Sequence, residues 1–127
     1  MRKLILILAL AVSGCASVQS WIPSFWDDNQ SHRIVDVRLA IERVDCANAL
    51  VGVGRVRDDL EWFRLYSDSK GSLQRDVLSL ITPMQATVED WYTRTAQGKA
   101  SPAYCELKKS VMTQQAARAA HAVLGRW

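Results

Sequence analysis

The stretch "CANALVGVGRVRDDLEWF", residues 46–63, has the period of an α-helix with one buried face. Its apolar side chains recur at spacings of three and four: Cys46, Leu50, Val53, Val56, Leu60 and Phe63. Gly52 and Gly54 interrupt the run at about 1 kcal/mol each relative to alanine, but the apolar stripe continues in phase across them. The pattern therefore predicts one long helix, either straight or bent at Gly52 and Gly54, that ends near Gly71.

Two more long helices are predicted after this stretch. The second has a strong apolar face made by Leu73, Val77, Leu80, Ile81, Met84, Val88 and Trp91. Pro83 must either kink this helix or restart it, with Thr82 as the N-cap of the restarted part. Gly98 closes it, and Ser101 followed by Pro102 opens the last helix. Short turns between the helices predict an all-α, up-down-up bundle of three long helices.

Residues 31–45 have an apolar stripe that three helices leave without a partner. The stripe consists of Ile34, Val37, Ile41 and Val44. Two interpretations remain open: the segment packs on the bundle as a fourth element, or it is an exposed stalk that binds a partner helix.

The beginning of the chain has the pattern of a secretory signal. A basic pair, Arg2-Lys3, precedes an apolar run over residues 4–12, which is too short for a bilayer that needs roughly 20 apolar residues. The run ends in Val12-Ser13-Gly14-Cys15, which resembles the lipobox of bacterial lipoprotein precursors. This resemblance implies that residues 1–14 are cleaved and that fatty acyl chains such as palmitate are attached at Cys15.

Residues 15–30 are then a lipid-anchored tether, and residues 31–127 form the helical bundle domain. The residue after the lipobox is Ala16 and not aspartate, which in the resembled lipoproteins favours the periplasmic face of the outer membrane over the inner membrane. The tether contains four large apolar side chains, Trp21, Ile22, Phe25 and Trp26. They either lie at the membrane interface or fold back onto the domain.

Export determines how the other two cysteines are interpreted. In an oxidising periplasm, Cys46 and Cys105 are expected to form a disulfide, although two separate buried thiols are the alternative. In an up-down-up bundle both cysteines fall at the same level, at the end away from the first turn. The predicted architecture and the predicted disulfide therefore agree.

Composition and charge exclude several classes of protein. The 127 residues are 49% hydrophobic and 23% charged, which is typical of one globular domain. The net charge of +3 becomes +1 when Arg2 and Lys3 leave with the signal, which argues against a nucleic-acid partner.

The sequence has no recognisable catalytic or metal-binding motif. Its densest charge cluster mixes acids and bases as on a solvated, salt-bridged helix face: Arg55, Arg57, Asp58, Asp59, Glu61 and Arg64. His32 and His121 lie far from either cysteine, so no metal site is predicted. We expect a protein that is not an enzyme and that has no cofactor besides its lipid and no small-molecule substrate.

The favoured function is a structural or adaptor lipoprotein that binds a protein partner at the outer membrane. In size, anchor and helix content the chain is similar to the small helical pilotins that escort secretin subunits. The alternative is a phage- or plasmid-encoded superinfection-exclusion or lysis lipoprotein. An enzyme that acts on peptidoglycan ranks third.

Overall fold

A computed structural model describes residues 27–125, except for the side chains of Ser72 and Leu73. These residues form four α-helices: α1 (Asp28–Glu42), α2 (Ala49–Ser69), α3 (Arg75–Ala96) and α4 (Pro102–Leu124). A short 3₁₀ helix (Gly71–Gln74) connects α2 to α3. The predicted all-α class is confirmed.

The helices form a closed four-membered bundle. Helix α1 packs against α2 and α4, and α3 also packs against α2 and α4, so each helix lies between two neighbours. With short connections, consecutive helices are antiparallel and the topology is up-down-up-down. The prediction of three helices was therefore wrong by one. Helix α1 begins at Asp28, three residues before the predicted boundary at residue 31.

The apolar stripe of residues 31–45 lies in the core of this bundle. Ile34, Val37 and Ile41 have no exposed surface, and Val44 is 3% exposed. The interpretation of this stripe as a partner-binding surface is therefore wrong, because burial between α2 and α4 leaves it no surface to offer. The alternative prediction, that this segment packs on the bundle as a fourth element, is confirmed.

A tight turn over residues 43–48 separates α1 from α2 and lets the two helices pack against each other. The carboxylate of Asp45 accepts a hydrogen bond of 2.9 Å from the N–H of Ala47. The N–H of Asn48 donates to the carbonyl of Asp45 at 3.1 Å. These local bonds compete with helical ones, so the helix predicted to include Cys46 begins only at Ala49.

Most of the predicted helix ends are confirmed. Gly71 and Gly98 have φ values of +79° and +68°, in the left-handed region that glycine adopts without a steric penalty. The hydroxyl of Ser101 accepts the N–H of Tyr104 at 3.1 Å, and Pro102 occupies the first position of α4.

Of the two alternatives predicted at Pro83, a kink or a restart, the restart is wrong, because α3 runs through this proline without a break. Thr82 is not a cap, because its hydroxyl donates a hydrogen bond of 2.9 Å to the carbonyl of Leu78 one turn earlier. A proline inside a helix costs about 3 kcal/mol. Apolar residues on both sides of it are buried in one stripe: Val77, Ile81, Met84, Val88 and Trp91. Packing of that stripe holds the two halves of α3 in phase.

The two ends of the bundle differ in how they are closed. At the disulfide end, where α1 finishes and α4 begins, Cys46 and Cys105 are joined, with a Cα–Cα distance of 5.7 Å. The opposite end, where α1 begins, is called the tether end after the segment that the sequence predicts to be a tether. There the side-chain amide of the buried Gln30 donates 3.0 Å hydrogen bonds to Ser67 and Gln74. No helix within residues 27–125 is long and apolar enough to cross a bilayer.

Candidate functional site: a groove between the first two helices

A groove of about 310 Å³ lies on the surface between α1 and α2 and extends to the disulfide end. Helix α1 and the residue after it contribute one wall and α2 the other. The lining residues are Arg33, Asp36, Leu39, Ala40, Arg43, Val51, Gly52, Arg55 and Asp59.

The apolar part of the groove surrounds a close approach of backbone. A Cβ atom on Gly52 would lie 3.3 Å from the Cα atom of Val44, so a larger residue would push the end of α1 away by a few tenths of an ångström. Leu39 and Val51 flank this point with exposures of 39% and 79%. The groove therefore presents two apolar side chains to solvent.

The charged part of the groove has an excess of cations. Arg33 is paired, since its guanidinium lies 3.0 Å from the carboxylate of Asp59 and 3.9 Å from that of Asp36. Arg43 and Arg55 are exposed and form no ion pair with any residue in the 27–125 range. The lining therefore has a net charge of +1, and its two arginines without an ion pair lie in the same groove as the exposed Leu39 and Val51.

An aromatic clamp, made by Arg33, Trp62, Tyr66 and Lys70, continues from the groove towards the tether end. The rings of Trp62 and Tyr66 stack with centroids 4.9 Å apart and planes 7° from parallel. The guanidinium of Arg33 lies 4.2 Å from the Trp62 ring centroid, and the ammonium of Lys70 lies 5.1 Å from that of Tyr66. The clamp thereby joins the α1 residue Arg33 to the second half of α2.

The clamp also holds Asp27, the first described residue, against α2. The hydroxyl of Tyr66 lies 3.2 Å from Oδ2 of Asp27, and the Lys70 ammonium lies at the same distance from that oxygen. Asp27 caps α1 by accepting the N–H groups of Asn29 and Gln30. Burial alone would raise the pKa of Asp27, but the Gln30 N–H and Lys70 outweigh it, so the net pKa is lowered. The ionised carboxylate is therefore the stable form at neutral pH.

A second polar cluster joins α3 to α4 around Asp90. Its carboxylate accepts the Tyr104 hydroxyl at 2.6 Å and pairs with Lys108 at 2.7 Å and Arg94 at 3.2 Å. The hydrogen bond from Lys108 is the largest cause that lowers the pKa of Asp90, and with those from Tyr104 and Arg94 it holds this pKa well below its usual range. Burial and the hydrogen bond to Asp90 raise the pKa of Tyr104 to about 12. Because three donors from α3 and α4 share one carboxylate, this cluster has a structural role and connects the two helices.

The predicted salt-bridged face is confirmed for two of its arginines. Arg57 pairs with Glu89 at 2.6 Å, across to α3, and Arg64 pairs with Glu61 at 2.7 Å. Arg55 belongs to the same sequence cluster but lies on the opposite side of α2, in the groove.

The remaining predicted site residues have different outcomes. Cys46 and Cys105 are joined by the predicted disulfide. Cys15 and the tether residues Trp21, Ile22, Phe25 and Trp26 lie outside the described residues. Within residues 27–125, no group of three or more His, Cys, Asp or Glu side chains could hold a metal ion.

The sequence patterns did not identify the groove itself. Leu39 and Val51 are apolar residues that fall outside the buried stripes of their helices, and that is the signal they leave in the sequence. Their proximity depends on α1 folding back along α2, which a three-helix interpretation does not contain. Comparisons of the chain with protein-family models, with curated proteins and with solved structures gave no match.

Proposed function

We propose that this chain is a lipid-anchored, non-catalytic adaptor of the bacterial envelope. In this proposal residues 1–14 are removed, Cys15 carries the lipid, and the helical bundle binds a protein partner on the periplasmic side of the outer membrane. The aromatic residues Trp21 and Trp26 of the tether, with Ile22 and Phe25, lie at the membrane interface.

The observation that carries this proposal is the attachment of Asp27 to α2. Because Tyr66 and Lys70 both contact its carboxylate, the chain enters the bundle at one fixed end. The twelve residues from Ala16 to Asp27 span at most about 40 Å when extended. A lipid on Cys15 would therefore keep the tether end near the membrane, and the groove would remain accessible to other envelope proteins.

The anchor is tested by metabolic labelling of cells with a palmitate analogue. We expect the wild-type chain to be labelled and to fractionate with membranes, whereas Cys15→Ser should lose the label and its processing. Ser20→Ala, which leaves the lipobox intact, is the matched control and should behave as the wild type does. Labelling of the Cys15→Ser chain at the wild-type level would contradict the proposed anchor.

The adaptor role is tested by crosslinking in cells. A photo-reactive residue at Val51, which is 79% exposed in the groove, should give a defined adduct with an envelope protein. The same residue at Leu107, which is 61% exposed on α4, is the control for random collision. Equal adducts at both positions, or none at Val51, would contradict an adaptor that uses this face. If the crosslinked protein is an envelope receptor that a phage or a conjugating cell uses for entry, the result would instead indicate superinfection exclusion.

A further inference from the structure

We infer that the groove between α1 and α2 binds an acidic segment of a partner polypeptide. Carboxylates of that segment pair with Arg43 and Arg55, and an adjacent apolar side chain packs on Leu39 and Val51. The inference rests on the proposed adaptor function and specifies both its binding site and the chemistry of its partner.

The first support is the contrast between Arg43 and Arg55 and the paired arginines of α1 and α2. Arg33, Arg57 and Arg64 are each within 3.0 Å of a carboxylate oxygen. Arg43 and Arg55 have no such partner among residues 27–125, although both line the groove. A guanidinium presents a planar set of donors that matches a carboxylate in a bidentate way. The binding partner that complements this part of the groove is therefore anionic.

The second support is the apolar surface between these charges. Among residues 27–125 with a described side chain, Val51 has the largest exposed fraction of the exposed large hydrophobic residues, and Leu39 lines the same groove. Covering them removes apolar surface from water, which favours association. Because the groove presents both apolar and cationic side chains, the partner segment that fits it carries carboxylates and at least one apolar side chain.

Two other occupants fit the groove less well. Residues 15–26 of the same chain read "CASVQSWIPSFW" and contain no carboxylate for Arg43 or Arg55. A second copy that docked through the same face would bring the arginines of one copy towards those of the other, because a two-fold interface is self-complementary. An acidic segment of another protein satisfies both the charge and the apolar surface.

The experiment selects peptides on the full-length chain, purified in detergent. The probe is a library of twelve-residue peptides of random composition, and the strongest binders are measured again by fluorescence anisotropy. We expect the retained peptides to be enriched in Asp or Glu together with Leu, Ile or Phe. Their affinity should fall at least tenfold in Arg43→Ala/Arg55→Ala. It should change less than twofold in Arg38→Ala/Arg118→Ala, which removes two exposed arginines outside the groove.

A charge-reversed variant keeps the test independent of folding defects. Arg43→Glu/Arg55→Glu should lose the acidic peptides and instead retain peptides that contain Lys or Arg, which an unfolded chain would not do selectively. Retained peptides without acidic enrichment, an equal loss in both double alanine variants, or no retained peptide at all would overturn the inference. Binding of phosphatidylglycerol vesicles through Arg43 and Arg55, in place of peptides, would also overturn it and assign the groove to lipid headgroups.

The two proposals fail separately. Palmitate labelling reports on Cys15, whereas peptide selection reports on Arg43 and Arg55. An unlabelled chain that still selects acidic peptides would remove the anchor and keep the groove. A labelled chain that selects none would do the opposite.

Discussion

The hydroxyl of Tyr104 donates a hydrogen bond of 2.6 Å to Oδ2 of Asp90, and this contact joins the start of α4 to the second half of α3. Lys108 and Arg94 lie against the same carboxylate and also over the Tyr104 ring, at 5.4 Å and 5.2 Å from its centroid. Two cations, one carboxylate and one phenol therefore share a single joint. This arrangement makes the stability of the bundle dependent on pH at both extremes.

Tyr104 should remain protonated in alkaline solution. Burial and the bond to Asp90 raise its pKa to about 12, from 10.0 for a free tyrosine side chain. Its stabilising contribution is therefore complete below pH 10 and is lost as the pH rises towards 12. Ultraviolet titration of tyrosinate in the folded protein should show one late-titrating phenol that is missing in Tyr104→Phe. A wild-type curve that matches that of Tyr104→Phe in this range would contradict the assignment.

Asp90 should stabilise the bundle in neutral solution and lose this effect in acid. Its donors hold the pKa below the usual 3.8, so the contribution is present above that pH and declines as the pH falls further. In urea unfolding, the wild type should be more stable than Asp90→Asn at pH 6, and the difference should narrow below pH 3.8. Asp36→Asn is the control, because Asp36 is exposed and its nearest cation is 3.9 Å away. A difference that stays constant down to pH 2 would argue against this role.

Ile41 and Leu39 test whether residues 31–45 belong to the core. Ile41 is fully buried, and its truncation leaves a cavity, so Ile41→Ala should lower the free energy of unfolding by about 2–5 kcal/mol. Leu39 is 39% exposed on the same helix, and Leu39→Ala should cost less than about 1 kcal/mol. Urea unfolding measures both. Similar small losses for the two variants would restore the interpretation of this segment as an exposed stalk.

The sequence predicted the helices well and their number poorly, for a physical reason. Apolar periodicity and the signals at Gly71, Gly98 and Ser101 identify the ends of α3 and the start of α4, although Pro83 indicated a restart that α3 does not have. The break before α2 has neither glycine nor proline. It depends on Asp45 bonding to the backbone of Ala47, a local competition with the helix that periodicity does not report.

The candidate site was less predictable than the fold. The disulfide between Cys46 and Cys105 could be predicted, because an exported chain with two remaining cysteines is expected to join them, and counting residues along antiparallel helices places both at one level. The groove requires that Arg43 and Arg55, from different segments, come together around a glycine contact. A single sequence contains the charges but not the information that Arg57 and Arg64 are neutralised while these two are not.

The disulfide should contribute strongly to stability. Cys46 and Cys105 are separated by 59 residues, and closing a loop of that length stabilises a fold by about 4 kcal/mol in the chain-entropy model. Urea unfolding with and without a reductant should show this loss in the wild type. Cys46→Ala/Cys105→Ala should have the stability of the reduced wild type and should not respond to the reductant. Modification of either thiol in the unreduced native protein would show that the bridge is absent in solution.

Gly52 and Gly54 provide a matched pair within one turn of α2. Alanine at either position gains about 1 kcal/mol of helix propensity. At Gly54 the added Cβ would lie 3.5 Å from a ring carbon of Tyr92, an ordinary contact, so Gly54→Ala should raise the free energy of unfolding by up to that amount. At Gly52 the added Cβ would lie 3.3 Å from the Cα atom of Val44 and 3.4 Å from its Cγ2 atom, so it would push on backbone. Gly52→Ala should therefore lose most or all of the gain, and urea unfolding should place it below Gly54→Ala. Equal stabilisation by the two variants would mean that the contact between Gly52 and Val44 does not limit how closely α2 approaches the end of α1.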